Sequence, residues 1–130
     1  MSVQIEKSHP TRKGIKSTKD VKITMRDGVR LSADIYLPAD VKEGEKFPVL
    51  FSTSCYGKEF DDLPANAVFR FRECGPIDFY VERGYAFVRT DSRGTGQSLE
   101  GTWKFLDTEE QTDLYDTIEW IAAQDWCTGK

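Results

Sequence analysis

Two runs in which apolar and polar residues alternate, Val21–Met25 and Arg30–Tyr36, flank the tripeptide Arg26-Asp27-Gly28. Asp-Gly between two such runs predicts a tight antiparallel hairpin. Pro38 closes the second run, and the polar stretch "ADVKEGEK" follows as a connection. The pattern then changes from alternating to continuous. "FPVLFSTSCY" and "YAFVRTD" are short apolar runs rich in β-formers, which predicts strands buried on both faces. Between them, residues 58–76 are broken by Pro64, Gly75 and Pro76 and read as a loop with some helix. "PIDFYVERGY" predicts a short helix that starts near Pro76 and stops at Gly84. "SRGTGQSLEG", with three glycines within eight residues, demands a turn of special shape. Beyond it, Leu114, Ile118, Ile121, Ala122 and Trp126 fall at i, i+4, i+7, i+8 and i+12, the apolar stripe of a core-facing helix. Thr108 with Gln111, or Asp107 with Glu110, offers its start, and Gly129 its stop.

The order hairpin, strand, helix, strand, helix predicts an α/β fold whose later strands are parallel. A strand buried on both faces needs neighbours on both edges, and the helix from Thr108 is the natural crossover to a further parallel strand. The expectation is therefore a partial domain: the truncated start of a sheet that continues after Lys130.

Composition narrows the function. With 38% hydrophobic and 31% charged residues the 130-residue chain is globular in character, and its formal charge of −4 argues against a nucleic-acid partner. Charge is unevenly placed. Residues 1–20 carry five Lys/Arg against Glu6 and Asp20 and lack apolar periodicity, so they are expected to form a flexible basic arm before a domain over 21–130. No apolar stretch reads as a signal peptide or approaches the ~18 residues of a membrane span, which points to the cytoplasm and to no membrane partner. Cys55, Cys74 and Cys127 show no paired spacing and are expected as free, packed thiols. His9, in the arm, is the single histidine, so neither a metal site nor any cofactor site is expected.

Four segments in order, "MRDGVRLSADIYLP", "SCYGK", "RGYAFVRTDSRGTGQS" and "EQTDLYDTIEWIAAQDWCTGK", resemble the amino-terminal part of the catalytic domain in the family of cocaine esterases, α-amino-acid ester hydrolases and X-Pro dipeptidyl-peptidases. The resemblance covers Val21 to Lys130. It implies an α/β-hydrolase fold, truncated, and acyl transfer to water through an acyl-serine, with an ester, amide or Xaa-Pro peptide as substrate. Similar proteins continue past the W-x-x-G-K segment into a strand and a G-x-S-Y-x-G turn that bears the nucleophile. The serine, acid and histidine are therefore expected after Lys130, and the 130 residues alone are expected to be inactive.

The same resemblance makes Tyr56 the candidate catalytic residue. Its hydroxyl would help a backbone N–H hold the oxyanion that forms when serine attacks a carbonyl. Without the resemblance, Tyr56 reads as a packed strand-end tyrosine. Where the family commonly has Pro before this tyrosine, the chain has Cys55, and "SLEG" is one residue longer than the usual "SEG". The turn "DSRGTGQS" lacks the spacing of a phosphate-binding fingerprint, Arg93 with Asp91 suits an internally bonded turn better, and Arg93 is expected to pair with Asp113 or Asp116 of the following helix. Otherwise Glu110, Asp113 and Asp116 form a solvated face that complements the helix dipole. The spacing of Trp120 and Trp126 marks them as packing residues rather than pocket lining. Two other classes stand beside the hydrolase: a non-catalytic half-domain completed by a partner chain, and, more remotely, a small nucleotide-binding protein.

Overall fold

A computed structural model describes residues 14–59 and 74–130. It contains β1 (Ile15–Thr24), β2 (Arg30–Pro38), β3 (Val49–Ser54), α1 (Ile77–Val81), β4 (Ala86–Asp91) and α2 (Thr108–Ala122). The strands form one mixed sheet in the order β1-β2-β4-β3, in which β3 and β4 are parallel and the other pairings antiparallel. Among the described residues, no helix is long and apolar enough to cross a membrane.

The hairpin turns where Asp-Gly predicts. Met25 N–H donates to the Val29 carbonyl at 2.8 Å, the Asp27 carboxylate accepts the Val29 N–H at 3.1 Å, and Gly28 takes φ +87°. The first strand is longer than its pattern suggests. It begins at Ile15, so residues 15–20 are not a loose arm; residues 1–13 lie outside the described part. Ile15 is buried against Tyr36, Ile77, Val81 and Phe87, which ties that end of β1 into the core. A bulge between Thr18 and Val21, with Asp20 at φ +54°, shifts the register and hides the alternation.

All six residues of β4 are buried, as its continuous apolar run predicts. β3 departs from the same expectation. It lies at the sheet edge, and its first five residues are half-buried rather than enclosed. The two faces hold separate clusters. Ile23, Met25, Leu31, Ala33, Ile35, Val88, Ile121 and Cys127 pack on the α2 side, and Ile15, Tyr36, Ile77, Val81 and Phe87 on the α1 side. Adjacent residues Phe87 and Val88 point to opposite clusters, as the pleat requires.

Helix α1 sits where Pro76 and Gly84 bracket it, with Gly84 at φ +91°. Helix α2 starts with Asp107, whose carboxylate accepts the Glu110 N–H at 2.9 Å, so the second of the two expected caps is the one used. The helix ends at Ala122, well before Gly129, and Trp126 lies outside it. Its buried face is Asp113, Thr117 and Ile121, while Ile118 is half-exposed and Ala122 exposed. Among the described residues the buried face thus lies part of a turn from the apolar stripe, with Asp113 and Asp116 paired to Arg93 and Arg26 and Ile118 and Ala122 lining an open groove. Trp120 and Trp126 do pack against the core, and Cys55, Cys74 and Cys127 form no disulfide, Cys127 buried and the others half-buried.

Candidate active site

The carboxyl ends of the parallel strands β3 and β4 lie side by side, with Ser54 opposite Asp91. Crevices beyond such strand ends are where open α/β sheets bind ligands. Two loops leave this edge: the turn Cys55-Tyr56-Gly57-Lys58 after β3, and the Gly-rich turn from Ser92 after β4.

The first turn is held from both sides. Tyr56 N–H donates to Ser54 Oγ at 2.9 Å, Gly57 takes φ +91°, and Lys58 N–H donates to Asp91 Oδ1 at 2.6 Å. Between these fixed points the Tyr56 side chain is 57% exposed. Tyr56 thus stands just past the carboxyl end of β3 with its side chain accessible.

Lys58 carries a feature that the sequence did not announce. Its side chain is 2% exposed, and the ammonium sits 2.7 Å from Asp20 Oδ1 and 2.9 Å from Asp34 Oδ1. Burial opposes the Lys58 charge, but hydrogen bonds and charges from Asp20 and Asp34 outweigh it and hold its pKa above the ordinary lysine value. Burial likewise works against the Asp20 carboxylate, and the bonds from Lys58 and the Ser32 hydroxyl reverse it, leaving that carboxyl below its usual range. Lys19 completes the cluster, donating to Asp34 at 3.3 Å and to the Tyr36 hydroxyl at 2.7 Å. Sequence separations of 38 and 24 residues between Lys58 and its two carboxylates leave no local signal to find.

Asp91 does close an internally bonded turn, through backbone N–H groups rather than with Arg93. It is fully buried, and its carboxylate accepts the backbone N–H groups of Lys58 and of Gln97, the latter at 2.8 Å. Burial pushes its pKa up despite those two bonds. Ser98 Oγ donates to the Asp91 carbonyl at 2.7 Å and accepts the Ser32 N–H at 2.8 Å, which fastens the Gly-rich turn to β2.

Arg93 turns the other way. Its guanidinium makes a two-pronged pair with Asp113, at 2.7 Å from Nε and 2.6 Å from Nη2, and reaches Asp27 at 2.8 Å. Both Arg93 and Asp113 side chains are 8% exposed. Of the two expected partners, then, Asp113 is the one, and Asp116 instead holds Arg26 at 2.7 Å. Bonds from Asp113 and Asp27 raise the arginine's pKa further above its already high value. Glu110 lies near Ser92 Oγ and accepts the Leu106 N–H at 3.2 Å, part of the N-terminal turn of α2. Asp113, Asp116 and Glu110 thus bind Arg93, Arg26 and the Leu106 N–H respectively and shape the edge beside the strand ends.

Comparison with known proteins decides the family. Residues 27–130 match the X-Pro dipeptidyl-peptidase (S15) family. The chain belongs to that family. It is 38% identical over 111 residues to the cocaine esterase of a Rhodococcus species, a match that covers 85% of this chain and 17% of that enzyme. Among solved structures, a CocE/NonD family hydrolase from Staphylococcus aureus superposes with a TM-score of 0.73 at 29% identity, covering 88% of this chain and 21% of that one. An α-amino-acid ester hydrolase gives a TM-score of 0.60 at 26% identity over 90% of this chain and 20% of that one. The sheet and its two helices are thus part of an α/β-hydrolase domain, and the chain spans less than a fifth of the length of the curated relatives it matches, 17% and 18%.

Proposed function

We propose that this chain is the amino-terminal portion of the catalytic domain of a serine hydrolase that cleaves ester or amide bonds through an acyl-serine, with the Tyr56 hydroxyl as one donor to the oxyanion. The observation that carries this reading is the placement of an accessible Tyr56 side chain at the carboxyl end of β3, beside the end of β4, in a family of hydrolases. The nucleophile, acid and histidine belong to sequence after Lys130.

The exit from α2 supports that last point. Phe47 N–H donates to the Trp126 carbonyl at 2.8 Å, Thr128 N–H to the Phe47 carbonyl at 3.0 Å, and Val49 N–H to the Lys130 carbonyl at 3.0 Å. The first two bonds make one isolated parallel bridge, Phe47 with Cys127, just ahead of β3, and the third reaches the first residue of β3 two residues out of that register. A chain continuing in that direction would add a strand along Val49–Ser54 and finish beside Tyr56. Alongside runs an open apolar groove of about 310 Å³ lined by Val49, Phe51, Ile118, Ile121, Ala122 and Cys127. Burying it beneath a following strand would give the exposed apolar side of α2 its partner.

Small chromogenic esters, amino-acid esters and Xaa-Pro anilides offered to the whole hydrolase would define the acyl group accepted. The decisive variant is Tyr56→Phe. Removing one preorganised oxyanion donor is expected to lower kcat about 10²-fold or more, roughly 3 kcal/mol, with KM little changed. Unchanged kcat would remove Tyr56 from the mechanism.

A further inference from the structure

Tyr56 is more than half exposed, and the backbone that carries it helps to set where its hydroxyl stands. That backbone has two anchors. One is the local Ser54 bond on the strand side. The other is Lys58, two residues on, whose amide is fixed to Asp91 and whose ammonium is buried between two carboxylates of the β1–β2 hairpin.

We propose that Lys58 is a positioning residue for Tyr56: its ammonium fastens the turn after β3 to the Asp20 bulge of β1 and to Asp34 of β2, and so sets where the oxyanion donor stands. This rests on the oxyanion reading of Tyr56 given above.

The hairpin side of the clasp is built for the task. Asp34 is 1% exposed and accepts from the Asp20 backbone N–H at 3.0 Å, which helps hold Asp20 in its left-handed conformation. In that conformation the Asp20 carboxylate reaches both Lys58 and the Ser32 hydroxyl, the latter at 2.9 Å. A non-glycine residue adopts such a backbone only where its surroundings require it. Here they require it because a regular strand would carry the alternation through without the bulge. A lysine and an aspartate side chain that are each 2% exposed are a costly way merely to fill space, since burial strips both of water. An ammonium on a long stem is, however, a suitable cross-strand tie: it bonds two acceptors at once from a loop that has no ladder of its own.

The test uses the whole hydrolase and three variants: Lys58→Met, Tyr56→Phe and the double substitution. Steady-state kinetics is read together with amide hydrogen exchange over residues 55–58. Misplacing a catalytic donor by a fraction of an ångström is expected to lower kcat about tenfold with KM changed less than about twofold. Because Lys58 acts through Tyr56, that loss should shrink to less than about twofold in the Tyr56→Phe background, while exchange at 55–58 accelerates in Lys58→Met. The same loss of kcat in both backgrounds, or no loss in either, would overturn the proposal. Should Tyr56→Phe itself leave kcat unchanged, the oxyanion reading falls, and exchange alone decides whether Lys58 fixes the turn: unchanged protection refutes it. Lys58→Met leaves two carboxylates facing a methyl group, so Lys58→Met with Asp34→Asn provides a second variant with one charge fewer. If that variant folds with wild-type exchange and kcat, the proposal is wrong.

Discussion

Replacing Asp113 by Ala removes the partner of a guanidinium that is almost fully enclosed. The pair has two parallel bonds at 2.6 and 2.7 Å, and both side chains are 8% exposed. Deleting one member of a buried pair costs about 3–5 kcal/mol, because the remaining charge keeps its desolvation penalty without its compensation. Arg93 retains Asp27 at 2.8 Å, with Glu109 at 3.8 Å, so the loss belongs at the lower end, about 3 kcal/mol. Asp27 supplies the internal control. Its side chain is 44% exposed, and Asp27→Asn, which keeps an acceptor for the Val29 N–H, should cost about 1 kcal/mol or less. Urea unfolding at neutral pH, followed through tryptophan fluorescence, measures both. With a slope of about 1–3 kcal/mol per molar urea, the Asp113 variant should shift its midpoint by about 1–3 M and the Asp27 variant by a fraction of that. Added salt should weaken the Asp27 contribution and leave that of Asp113 nearly intact. Arg93→Met with Asp113→Leu should be less destabilised than Asp113→Ala, since no charge is left unpaired. Equal losses for Asp113→Ala and Asp27→Asn would refute the view that the pair's enclosure gives it its strength.

Two further outcomes follow from the Gly-rich turn and its carboxylate. Gly96→Ala would bring a Cβ to 2.2 Å from Asp91 Oδ2 at φ +49°, whereas Gly44→Ala, at φ +79°, meets nothing within 4 Å. The second should cost only its backbone strain, about 1–2 kcal/mol, and the first distinctly more, both read from unfolding midpoints. For pH, the carboxyls of Asp20, Asp27 and Asp116 lie below the ordinary aspartate value of 3.8 in the fold, so the stability they contribute is present above that value and is lost as pH falls through their folded pKa values. Asp91 runs the opposite way. Its raised pKa gives a contribution that is complete below 3.8 and lost as pH rises through its folded pKa. Stability should therefore fall below about pH 4, and between about pH 4 and the folded pKa of Asp91 the parent should gain stability on acidification that Asp91→Asn lacks, as an unfolding series from pH 2 to 7 would show. A shallower acid limb in Asp91→Asn would contradict the assigned direction.

Elements whose signals are local could be read from the sequence. The Asp27-Gly28 turn, the Pro76 and Gly84 brackets of α1, the Asp107 cap and the buried run of β4 each depend on a few adjacent residues, and each is present. Tyr56 was found by resemblance, with its position at a strand end confirmed and its catalytic role a proposal. What stayed hidden is set by contacts across the fold. The start of β1 at Ile15 depends on packing against Phe87 and Ile77, and the orientation of α2 on Arg93 and Arg26, from 20 and 90 residues away. Hydrophobic periodicity ranks Ile118 above Asp113 for burial, yet a paired carboxylate can be enclosed while an isoleucine faces a groove. Lys58 is the extreme case: an amphipathic residue that composition places at the surface is among the most enclosed side chains described.

The three glycines of the turn after β4 acquire a common explanation from Asp91 and Arg93, which lie two residues apart and reach to opposite sides. Gly94 takes φ +69°, and a Cβ there would stand 2.8 Å from the Trp103 nitrogen and 2.9 Å from the Gly101 carbonyl; at Gly101, φ +77°, it would press on the Arg93 stem. These glycines serve close approach, because the turn folds back over its own backbone while Gly94 N–H donates to the Glu100 carbonyl at 2.9 Å. Gly96 plays the same part against Asp91. A glycine-rich turn that follows a strand can form a concavity of N–H donors for an external phosphate. In this chain the N–H groups of Gln97 and Lys58 converge instead on the Asp91 carboxylate, an anion the turn supplies for itself. A bound phosphate would have to displace a fully buried carboxylate from two hydrogen bonds. The same carboxylate joins the Gly-rich turn to the turn bearing Tyr56, so the edge that would face a substrate is fixed internally by one residue that never meets it.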